Sequence, residues 1–485
     1  MKEGSWLSLI NTRTIPLNKT GKLLLFNADL ATWCFLEGRE RILYDYLHEG
    51  VSYSTLVTAS LLKENGLNGV NRLNSLLAHL YERGMLMVDK KMSLNQNIFS
   101  QGPLFSDIPL VELLITKRCN LSCAYCFADD KQTKQDMALE TAFRSVGRLM
   151  EMPSHRFYIK FNGGEPLLRK DLLEEIGEYV IKRLREVKKE GYLLFEVTTN
   201  GTLINRQAID LFKRFNMRVL ISLDGPEKIH NQVRPYKDVS PSYQDVIKGI
   251  HLMQEASYPF RIITVVTRQN LPFAEELLDF FGDSGLRELR FNPVLENGRA
   301  RERWGNIGIN PREYLSFMKT LINNLDGNTF CYEDNIQFML RNMVYRTRNF
   351  RCMRTKCGCG HQYMCVDTNG DLYPCAYFRA ETPSLKLGNI QLIGKWMDGG
   401  QNHPLVKEFP TRIPSKIEAC SRCEWRHLCE GGCTLGAYLQ SNTLFAPTYL
   451  CEYFKGMYSF LFNKLAEQPN FLTRMLGKEV NLEQI

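Results

Sequence analysis

Three cysteines close together in one short segment constrain this chain more than any other sequence feature. Cys119, Cys123 and Cys126 follow the strand-like run 111–116 and are separated by three residues and then by two. This spacing suits ligation of a single metal centre better than pairing in disulfides. Structural zinc takes four ligands, so a zinc site here would need a distant fourth ligand. An iron–sulfur cluster held by three thiolates would instead leave one iron open.

The composition is that of a globular protein with more than one domain. The chain has 485 residues, of which 44% are hydrophobic and 24% are charged, and its formal net charge is +8. The length predicts about three domains. The basic run 182–189 is expected on a solvated helix face, so a nucleic-acid partner is not expected. The sequence shows no export signal and no run of membrane-spanning length, so we expect a cytoplasmic protein with no membrane partner.

The number and placement of the cysteines indicate metal or redox chemistry. The chain has 15 cysteines, which in a protein expected in the cytosol do not indicate a disulfide framework. All but Cys34 and Cys331 lie within 119–126 or after residue 351, so the sequence predicts two thiolate-rich regions. Cys34, Cys331 and Cys352 belong to no motif and are expected to be small core residues.

Strand-like and helical runs alternate through the middle of the chain. The expected strands are 111–116, 157–161, 193–198, 218–225, 260–267 and 289–293, and the expected helices are 138–150, 170–190, 206–215, 242–256 and 273–285. Alternation of this kind predicts a parallel sheet with crossover helices. Six such units fit a partial barrel of the triosephosphate-isomerase (TIM) type, although a doubly wound sheet would show the same alternation.

Polar and glycine residues follow the expected strands, at the edge where parallel α/β folds form their sites. After the cysteine loop they are Gly163, Gly164, Glu165, Asn200, Ser222 and Asp224. Glycine lets the backbone approach a ligand closely, and a glutamate can accept hydrogen bonds from an ammonium group. These residues are therefore candidates for binding a cofactor.

The C-x3-C-x2-C loop, with Tyr125 before its last cysteine, resembles the signature of the radical S-adenosylmethionine (SAM) enzymes. The resemblance implies that Cys119, Cys123 and Cys126 are the catalytic residues that hold a [4Fe–4S] cluster, whose open iron binds SAM. It also implies an α/β fold with a partial (β/α)6 TIM-like barrel.

The glycine and polar segments extend this resemblance. Gly163-Gly164-Glu165 resembles the family motif that binds the SAM amino group. The segments around Asn200, Ser222 and Asp224 resemble segments that contact the SAM ribose or the substrate. Arg234 resembles an arginine near the SAM carboxylate, and together with Tyr125 it completes the expected cofactor-binding set.

The C-terminal cysteines closely resemble the SPASM pattern, a cysteine-rich extension with two auxiliary [4Fe–4S] clusters. The resemblance assigns Cys357, Cys375 and Cys433 to one cluster and Cys420, Cys423, Cys429 and Cys451 to the other. Cys359 and Cys365 depart from the seven-cysteine pattern. Either could supply a fourth ligand, as in anaerobic sulfatase maturases, or one iron could stay open to bind substrate. The alternative is a pair of zinc ribbons.

The N-terminal 100 residues carry a different pattern. A strand at 23–26, helices at 37–47 and 53–65 ended by Gly50 and Gly66, a helix at 70–83 and a strand at 85–88 resemble a winged-helix module. They resemble the recognition element of ribosomal-peptide maturases, which binds a leader peptide by strand addition. The alternative is a generic winged helix that packs on the core or binds nucleic acid. Residues 95–109 are expected to be a linker.

These resemblances imply four regions and one leading function. The regions are the recognition module 1–100, the radical SAM barrel 101–320, the SPASM domain 321–455 and a helical tail 456–485. The enzyme would use SAM and three [4Fe–4S] clusters, with an electron donor such as flavodoxin or ferredoxin. Its 5′-deoxyadenosyl radical would modify a ribosomal precursor peptide that is bound through its leader.

The expected modification is an intramolecular crosslink. A thioether is the first expectation, and a C–C or ether link follows. The alternatives are a sulfatase-type maturase that forms formylglycine and a non-catalytic iron–sulfur or zinc protein.

Overall fold

The computed structural model describes twelve stretches of the chain. They are residue 2 and the ranges 4–18, 20–38, 40–58, 66–94, 108–128, 135–186, 192–325, 331–345, 357–381, 385–396 and 398–477. Cys352, nearly all of the expected linker and residues 59–65 of the second expected helix lie outside the described residues. No helix in these ranges is both long and apolar enough to cross a bilayer.

The described residues of the N-terminal module form two small antiparallel sheets and three helices. Its strands are β1 (Trp6–Leu9), β2 (Thr12–Pro16), β3 (Leu23–Asn27), β4 (Thr32–Leu36), β5 (Val51–Ser52), β6 (Arg83–Val88) and β7 (Lys91–Leu94). Its helices are α1 (Glu40–Glu49), α2 (Tyr53–Thr58) and α3 (Gly66–Glu82). The strand orders are β2-β3-β4 and β5-β1-β6-β7.

The structure confirms the two strands expected in this module and corrects one helix boundary. Gly66 was expected to end a helix, but it is the first residue of α3. The sequence did not predict β1, β2, β4 and β7, because strands of four or five residues with mixed burial give little alternation to detect.

The middle of the chain forms the expected parallel sheet. Its strands are β8 (Leu110–Thr116), β9 (Arg156–Gly163), β10 (Tyr192–Thr199), β11 (Arg218–Ser222), β12 (Phe260–Val266) and β13 (Glu288–Pro293). The helices between them are α4 (Leu139–Met150), α5 (Lys170–Glu186), α6 (Arg206–Arg214), α7 (Glu227–Val233), α8 (Tyr243–Glu255) and α9 (Ala274–Asp283). The strands pair in chain order and all in parallel, which confirms the partial barrel.

The C-terminal region extends the same sheet. Its strands are β14 (Tyr332–Glu333), β15 (Tyr363–Val366), β16 (Asp371–Tyr373) and β17 (Gly388–Asn389). Strand β14 pairs with β13, and β15 pairs in parallel with β8, so that β8 lies between β9 and β15. The strand that precedes the cysteine loop therefore carries the C-terminal cysteine hairpin on its other edge.

Helices of four to 17 residues complete the described residues of the C-terminal part. They are α10 (Arg299–Glu302), α11 (Trp304–Ile307), α12 (Pro311–Asn324), α13 (Asp334–Tyr345), α14 (Ala376–Glu381), α15 (Asp398–Asn402), α16 (Pro404–Glu408), α17 (Glu418–Ser421), α18 (Arg426–Cys429), α19 (Thr434–Ser441), α20 (Cys451–Glu467) and α21 (Asn470–Leu476). Cys34 and Cys331 are buried, as expected.

Strand β3 joins the N-terminal module to the rest of the protein. Leu24 and Phe26 pack into the main hydrophobic core, whereas Leu25 packs into the separate core of the module. Because successive strand residues point to opposite faces, one short strand serves both cores.

An aromatic cluster forms the contact on the main-core side. The ring of Phe462 in α20 lies 5.1 Å from Trp33, 5.3 Å from Trp425 and 6.0 Å from Phe26 between centroids. These separations lie in the range at which aromatic pairs attract. The cluster therefore fixes the small sheet against the C-terminal cysteine region.

The Phe462→Ala variant should lose stability, because it removes the fully buried ring at the centre of this cluster. We expect the free energy of unfolding to fall by about 3–5 kcal/mol, as measured by chemical denaturation. The matched control is Phe273→Ala at a ring that is 40% exposed, where the loss should be under about 1 kcal/mol. Equal losses in the two variants would contradict this role of Phe462.

Candidate active site

The cysteine loop is attached to the end of β9 by a close backbone contact. The amides of Gly164 and Glu165 donate to the carbonyls of Thr116 and Arg118 at 2.7 and 2.8 Å. A Cβ atom on Gly163 would lie 2.5 Å from the Thr116 oxygen, and one on Gly164 would lie 2.0 Å from the Arg118 oxygen. Both positions therefore require glycine for the loop to approach the strand.

Glu165 connects this contact to the end of β10. Its fully buried carboxylate accepts hydrogen bonds from the Leu167 amide at 3.0 Å, the Thr199 hydroxyl at 2.7 Å and the Asn200 amide at 2.7 Å. Burial raises the pKa of Glu165. A carboxylate can accept about four hydrogen bonds, so these three leave capacity for a further donor. The expected contact with the SAM amino group stays a prediction.

Asn200 extends the network to the first cysteine. Its side-chain amide donates to Asn120 at 2.8 Å and lies 3.9 Å from the Cys119 sulfur. Its own oxygen accepts from the amide of Thr202 at 3.0 Å. The structure thus brings together Cys119 and the polar residue after the third barrel strand, which the sequence had only placed at the same edge.

A second buried network holds the other side of the loop. Asp224 accepts from the Tyr125 hydroxyl and pairs with the Arg234 guanidinium at 2.8 Å, and neither charged group is more than a tenth exposed. Arg234 also lies 3.9 Å from the Cys123 sulfur and 5.1 Å from the centre of the Tyr125 ring. Ser222, two residues before Asp224, is buried at the end of β11.

His230 and Ser242 complete this network and were not identified from the sequence. The Asp224 amide donates to Nδ1 of His230 at 3.3 Å, and the Ser242 hydroxyl donates to the Arg234 carbonyl at 2.6 Å. The hydroxyl has then used its proton, so Nε2 of His230, 3.2 Å away, is the donor to it. Burial lowers the pKa of His230 to about 4, which keeps the ring neutral.

The segment 233–236 and Arg299 hold the backbone of the cysteine loop. The amides of Ser122 and Ala124 donate to the carbonyls of Pro235 and Val233, each at 2.8 Å. Arg299 donates from its side chain to the Cys123 carbonyl at 2.6 Å and from its amide to the Cys126 carbonyl at 3.0 Å. Nothing in the sequence pattern pointed to Arg299, because its contact spans more than 170 positions along the chain.

The chemistry of the three loop thiols fits an iron–sulfur cluster. Burial raises the pKa of Cys119 to about 12 and that of Cys123 to about 11, and charge on the neighbouring loop thiols contributes to both shifts. Three adjacent, half-buried thiols become thiolates together when a cationic centre binds them. Among the residues described, no three His, Cys, Asp or Glu side chains are arranged to hold a single metal ion.

A row of alternating charges crosses the barrel sheet at one level. Glu112, Lys160, Glu196 and Arg218 lie at paired positions on β8 to β11. The Lys160 ammonium is 3.3 Å from Glu112 and 3.9 Å from Glu196. Burial alone would raise the pKa of Glu112, but Lys160 and hydrogen bonds from Tyr363 and Asn162 lower it. Single charges within apolar strand segments were the signal that could have revealed this row.

Of the C-terminal cysteines between residues 357 and 375, the structure groups three and separates the fourth, Cys365. The thiol of Cys359 is hydrogen-bonded with those of Cys357 and Cys375, which raises its pKa. Cys365 lies on β15 and packs in a separate apolar cluster with Leu114. Of the two extra cysteines, Cys359 is therefore the one that joins this group.

The second C-terminal set is also brought together. Burial raises the pKa of Cys429, and the nearby thiols of Cys420, Cys423 and Cys451 raise it further. Cys420 lies in α17, Cys423 lies between α17 and α18, Cys429 is the last residue of α18, and Cys451 is the first residue of α20. The four thiols thus come from different elements that meet in the fold.

Comparison with known proteins identifies the barrel. Residues 113–281 match the family model described as the radical SAM superfamily. This segment is a radical SAM domain. At the level of the superfamily the chain is a radical SAM enzyme, with SAM and a [4Fe–4S] cluster as cofactors.

Curated relatives extend the likeness beyond the barrel at low identity. The chain is 26% identical over 393 residues to a cysteine-type anaerobic sulfatase-maturating enzyme of Clostridium perfringens, covering 75% of this chain and 99% of the relative. It is 37% identical over 180 residues to an uncharacterized protein of Methanocaldococcus jannaschii, which covers 37% of this chain and 60% of that relative.

Solved structures support the same fold. The AdoMet-bound structure of anSMEcpe matches with a TM-score of 0.65 at 25% identity, over 75% of this chain and 99% of that chain. Streptococcus suis SuiB bound to the precursor peptide SuiA matches with a TM-score of 0.53 at 16% identity, over 92% of this chain and 100% of that chain. The second match shows likeness of fold alone.

Replacing Asp224 with Asn should damage both stability and cluster retention. The buried Arg234 charge would lose its partner, which typically costs about 3–5 kcal/mol. We expect a lower unfolding free energy and less iron retained by a protein whose C-terminal cysteines are changed to Ala. The control is Asp238→Asn, an exposed carboxylate bonded to Ser240, which should leave both measurements at wild-type values. Wild-type iron retention in Asp224→Asn would contradict the role of this network.

His230 should make stability depend on pH. Its folded pKa of about 4 lies below the unfolded value near 6.5, so between these values the unfolded chain binds the proton and the folded chain does not. The free energy of unfolding should therefore fall as pH drops through this window, by up to about 3 kcal/mol. Denaturation of the wild type and of His230→Gln at several pH values measures the difference. Parallel pH profiles would show that His230 does not contribute.

Proposed function

We propose that this protein is a radical SAM/SPASM maturase that binds a ribosomal precursor peptide through residues 1–100 and forms a crosslink within it. The observation that carries the proposal is the junction between the N-terminal module and the C-terminal cysteine region. Phe26 of the small sheet contacts Trp425, which lies between Cys423 and Cys429 in the sequence, and Trp33 of the same sheet contacts Phe462, whose ring stacks on Trp425. A module joined to a cluster-binding region in this way can deliver a bound peptide to the catalytic side.

The fold comparison supports the same proposal. The match to SuiB in its complex with a precursor peptide covers 92% of this chain and so includes most of its N-terminal part. The match to the anaerobic sulfatase-maturating relative covers only 75% of the whole chain. The three-stranded sheet has two edge strands, β2 and β4, and the burial pattern makes β2 the more exposed. An extended leader peptide adds to such an edge through main-chain hydrogen bonds.

In the proposed enzyme Cys119, Cys123 and Cys126 hold the cluster that binds SAM. When bound, SAM and this cluster supply a 5′-deoxyadenosyl radical that removes a hydrogen atom from the substrate. The chain itself positions these groups: Glu165 and Asn200 fix the loop on one side, and Asp224 and Arg234 fix it on the other. These four side chains are themselves nearly inaccessible to solvent.

The two C-terminal cysteine groups are proposed to hold auxiliary [4Fe–4S] clusters. One would be held by Cys357, Cys375 and Cys433, with Cys359 as a fourth ligand, and the other by the cysteines at 420, 423, 429 and 451. They would accept the electron released when a substrate radical closes a bond. An external donor such as flavodoxin or ferredoxin would supply the electron that starts each turnover.

The substrate is proposed to bind between the loop and the first auxiliary group. Phe127 follows Cys126, Tyr377 follows Cys375 by two residues, and their rings lie 4.6 Å apart. Tyr377 is 38% exposed. A peptide side chain beside this aromatic pair would lie near both metal centres.

A second candidate function is formylglycine formation in a sulfatase. The sequence match to cysteine-type and serine-type anaerobic sulfatase-maturating enzymes, each at 26% identity over about three quarters of this chain, favours it. The N-terminal module weighs against it, because those matches leave a quarter of this chain without a counterpart.

The two functions differ in their products. The purified enzyme is incubated anaerobically with SAM, a reductant and a precursor peptide, and the peptide is examined by mass spectrometry. A thioether would remove two hydrogen atoms and one alkylatable thiol and would give no aldehyde. An aldehyde that reacts with a hydrazine would instead establish the second candidate and overturn the first.

The Cys126→Ala variant separates catalysis from peptide binding. It should abolish production of 5′-deoxyadenosine, because the cluster loses one of its three ligands. Binding of the precursor peptide, measured by fluorescence anisotropy, should match the wild type. Loss of both together would show that the cysteine loop and residues 1–100 do not act as separate units.

A further inference from the structure

Arg412 is a buried cation with unusual partners. The residue is 3% exposed, and its guanidinium donates only to main-chain carbonyls: Leu444 at 2.7 Å, Gly432 at 3.1 Å, Gly431 at 2.7 Å and Ala446 at 3.1 Å. Among the described residues it forms no ion pair with a carboxylate. A buried charge is costly unless an opposite charge compensates it.

The carbonyl partners place the guanidinium against the cysteine segments. Gly431 and Gly432 lie between Cys429 and Cys433, and both have positive φ angles, of 76° and 67°. A Cβ atom on Gly431 would lie 3.1 Å from one guanidinium nitrogen. The turn therefore lies close to Arg412, and its carbonyls point at the cation.

The thiols close to Arg412 come from both cysteine groups. Burial lowers the pKa of Arg412, and four cysteines oppose this shift when they are ionised: Cys433, Cys357, Cys420 and Cys429. The first two belong to one proposed cluster and the last two to the other. As cluster thiolates they would supply the negative charge that the buried guanidinium otherwise lacks.

We propose that Arg412 is the shared counter-charge of the two auxiliary clusters and raises the reduction potential of both. This inference rests on the proposed auxiliary clusters. A fixed positive charge favours the more negative, reduced state of each cluster, and charge and hydrogen bonding are among the factors that set such potentials. Arg412 is a positioning residue, because it acts on the clusters through the carbonyls and thiolates of the cysteine segments.

The test measures potentials in a protein that contains only auxiliary clusters. In a background with Cys119, Cys123 and Cys126 changed to Ala, the potentials are determined by titration monitored with electron paramagnetic resonance. Arg412→Gln removes the charge, and Arg412→Lys keeps it. We expect Arg412→Gln to make both potentials more negative by about 59 mV, which corresponds to a tenfold change in the equilibrium constant of a one-electron reduction. Lys should stay close to the background protein.

The matched control is Arg426→Gln. Arg426 donates to the Cys423 carbonyl at 3.0 Å but is paired with Asp29, so its charge is already compensated. This change should shift the potentials less than Arg412→Gln does. Less iron in Arg412→Gln than in Arg412→Lys would also support a role for the charge.

Other outcomes separate the possible failures. Equal shifts or equal iron loss in the Gln and Lys variants would show that Arg412 serves packing only, and unchanged potentials in both would likewise overturn the inference. A background protein with no auxiliary iron would refute the proposed clusters, and the inference with them.

Discussion

The close contact between the cysteine loop and the glycine pair after β9 is the constraint on which the rest of the site depends. No side chain larger than hydrogen fits at Gly163 or Gly164, so the loop and the strand end meet through their backbones. This contact fixes the position of Glu165, whose carboxylate accepts hydrogen bonds from Thr199 and Asn200 at the end of β10. Three successive parallel strands are thereby locked to one loop, which preorganises the cysteines before any cofactor binds.

Strand β8, which precedes the cysteine loop, connects the radical SAM loop to the C-terminal cysteine region. It leads into the cysteine loop at its carboxyl end and pairs with β15 along its edge. The hairpin that begins with β15 brings Cys375 toward the loop, where Phe127 and Tyr377 meet. Because these strands are paired in one continuous sheet, the sheet fixes the separation between the radical SAM loop and the first C-terminal cysteine group.

The sequence predicted the barrel, the cysteine groups and the polar strand ends because each has a local pattern, such as period, spacing or position after an apolar run. It could not predict contacts formed by distant residues with no pattern of their own. Arg299, His230 and Arg412 each look like an ordinary surface residue in the sequence, and only folding brings them to the cysteines. The N-terminal strands β1, β2, β4 and β7 were missed for a different reason: each has only four or five residues, too few to show a clear alternation of buried and exposed positions.

The most direct test of the central claim is anaerobic reconstitution with iron and sulfide, followed by an assay of 5′-deoxyadenosine in the presence of SAM and a reductant. Our account predicts 5′-deoxyadenosine formation by a protein that holds about twelve irons per chain, the content of three [4Fe–4S] clusters. A protein that binds zinc in place of iron and forms no 5′-deoxyadenosine would contradict it.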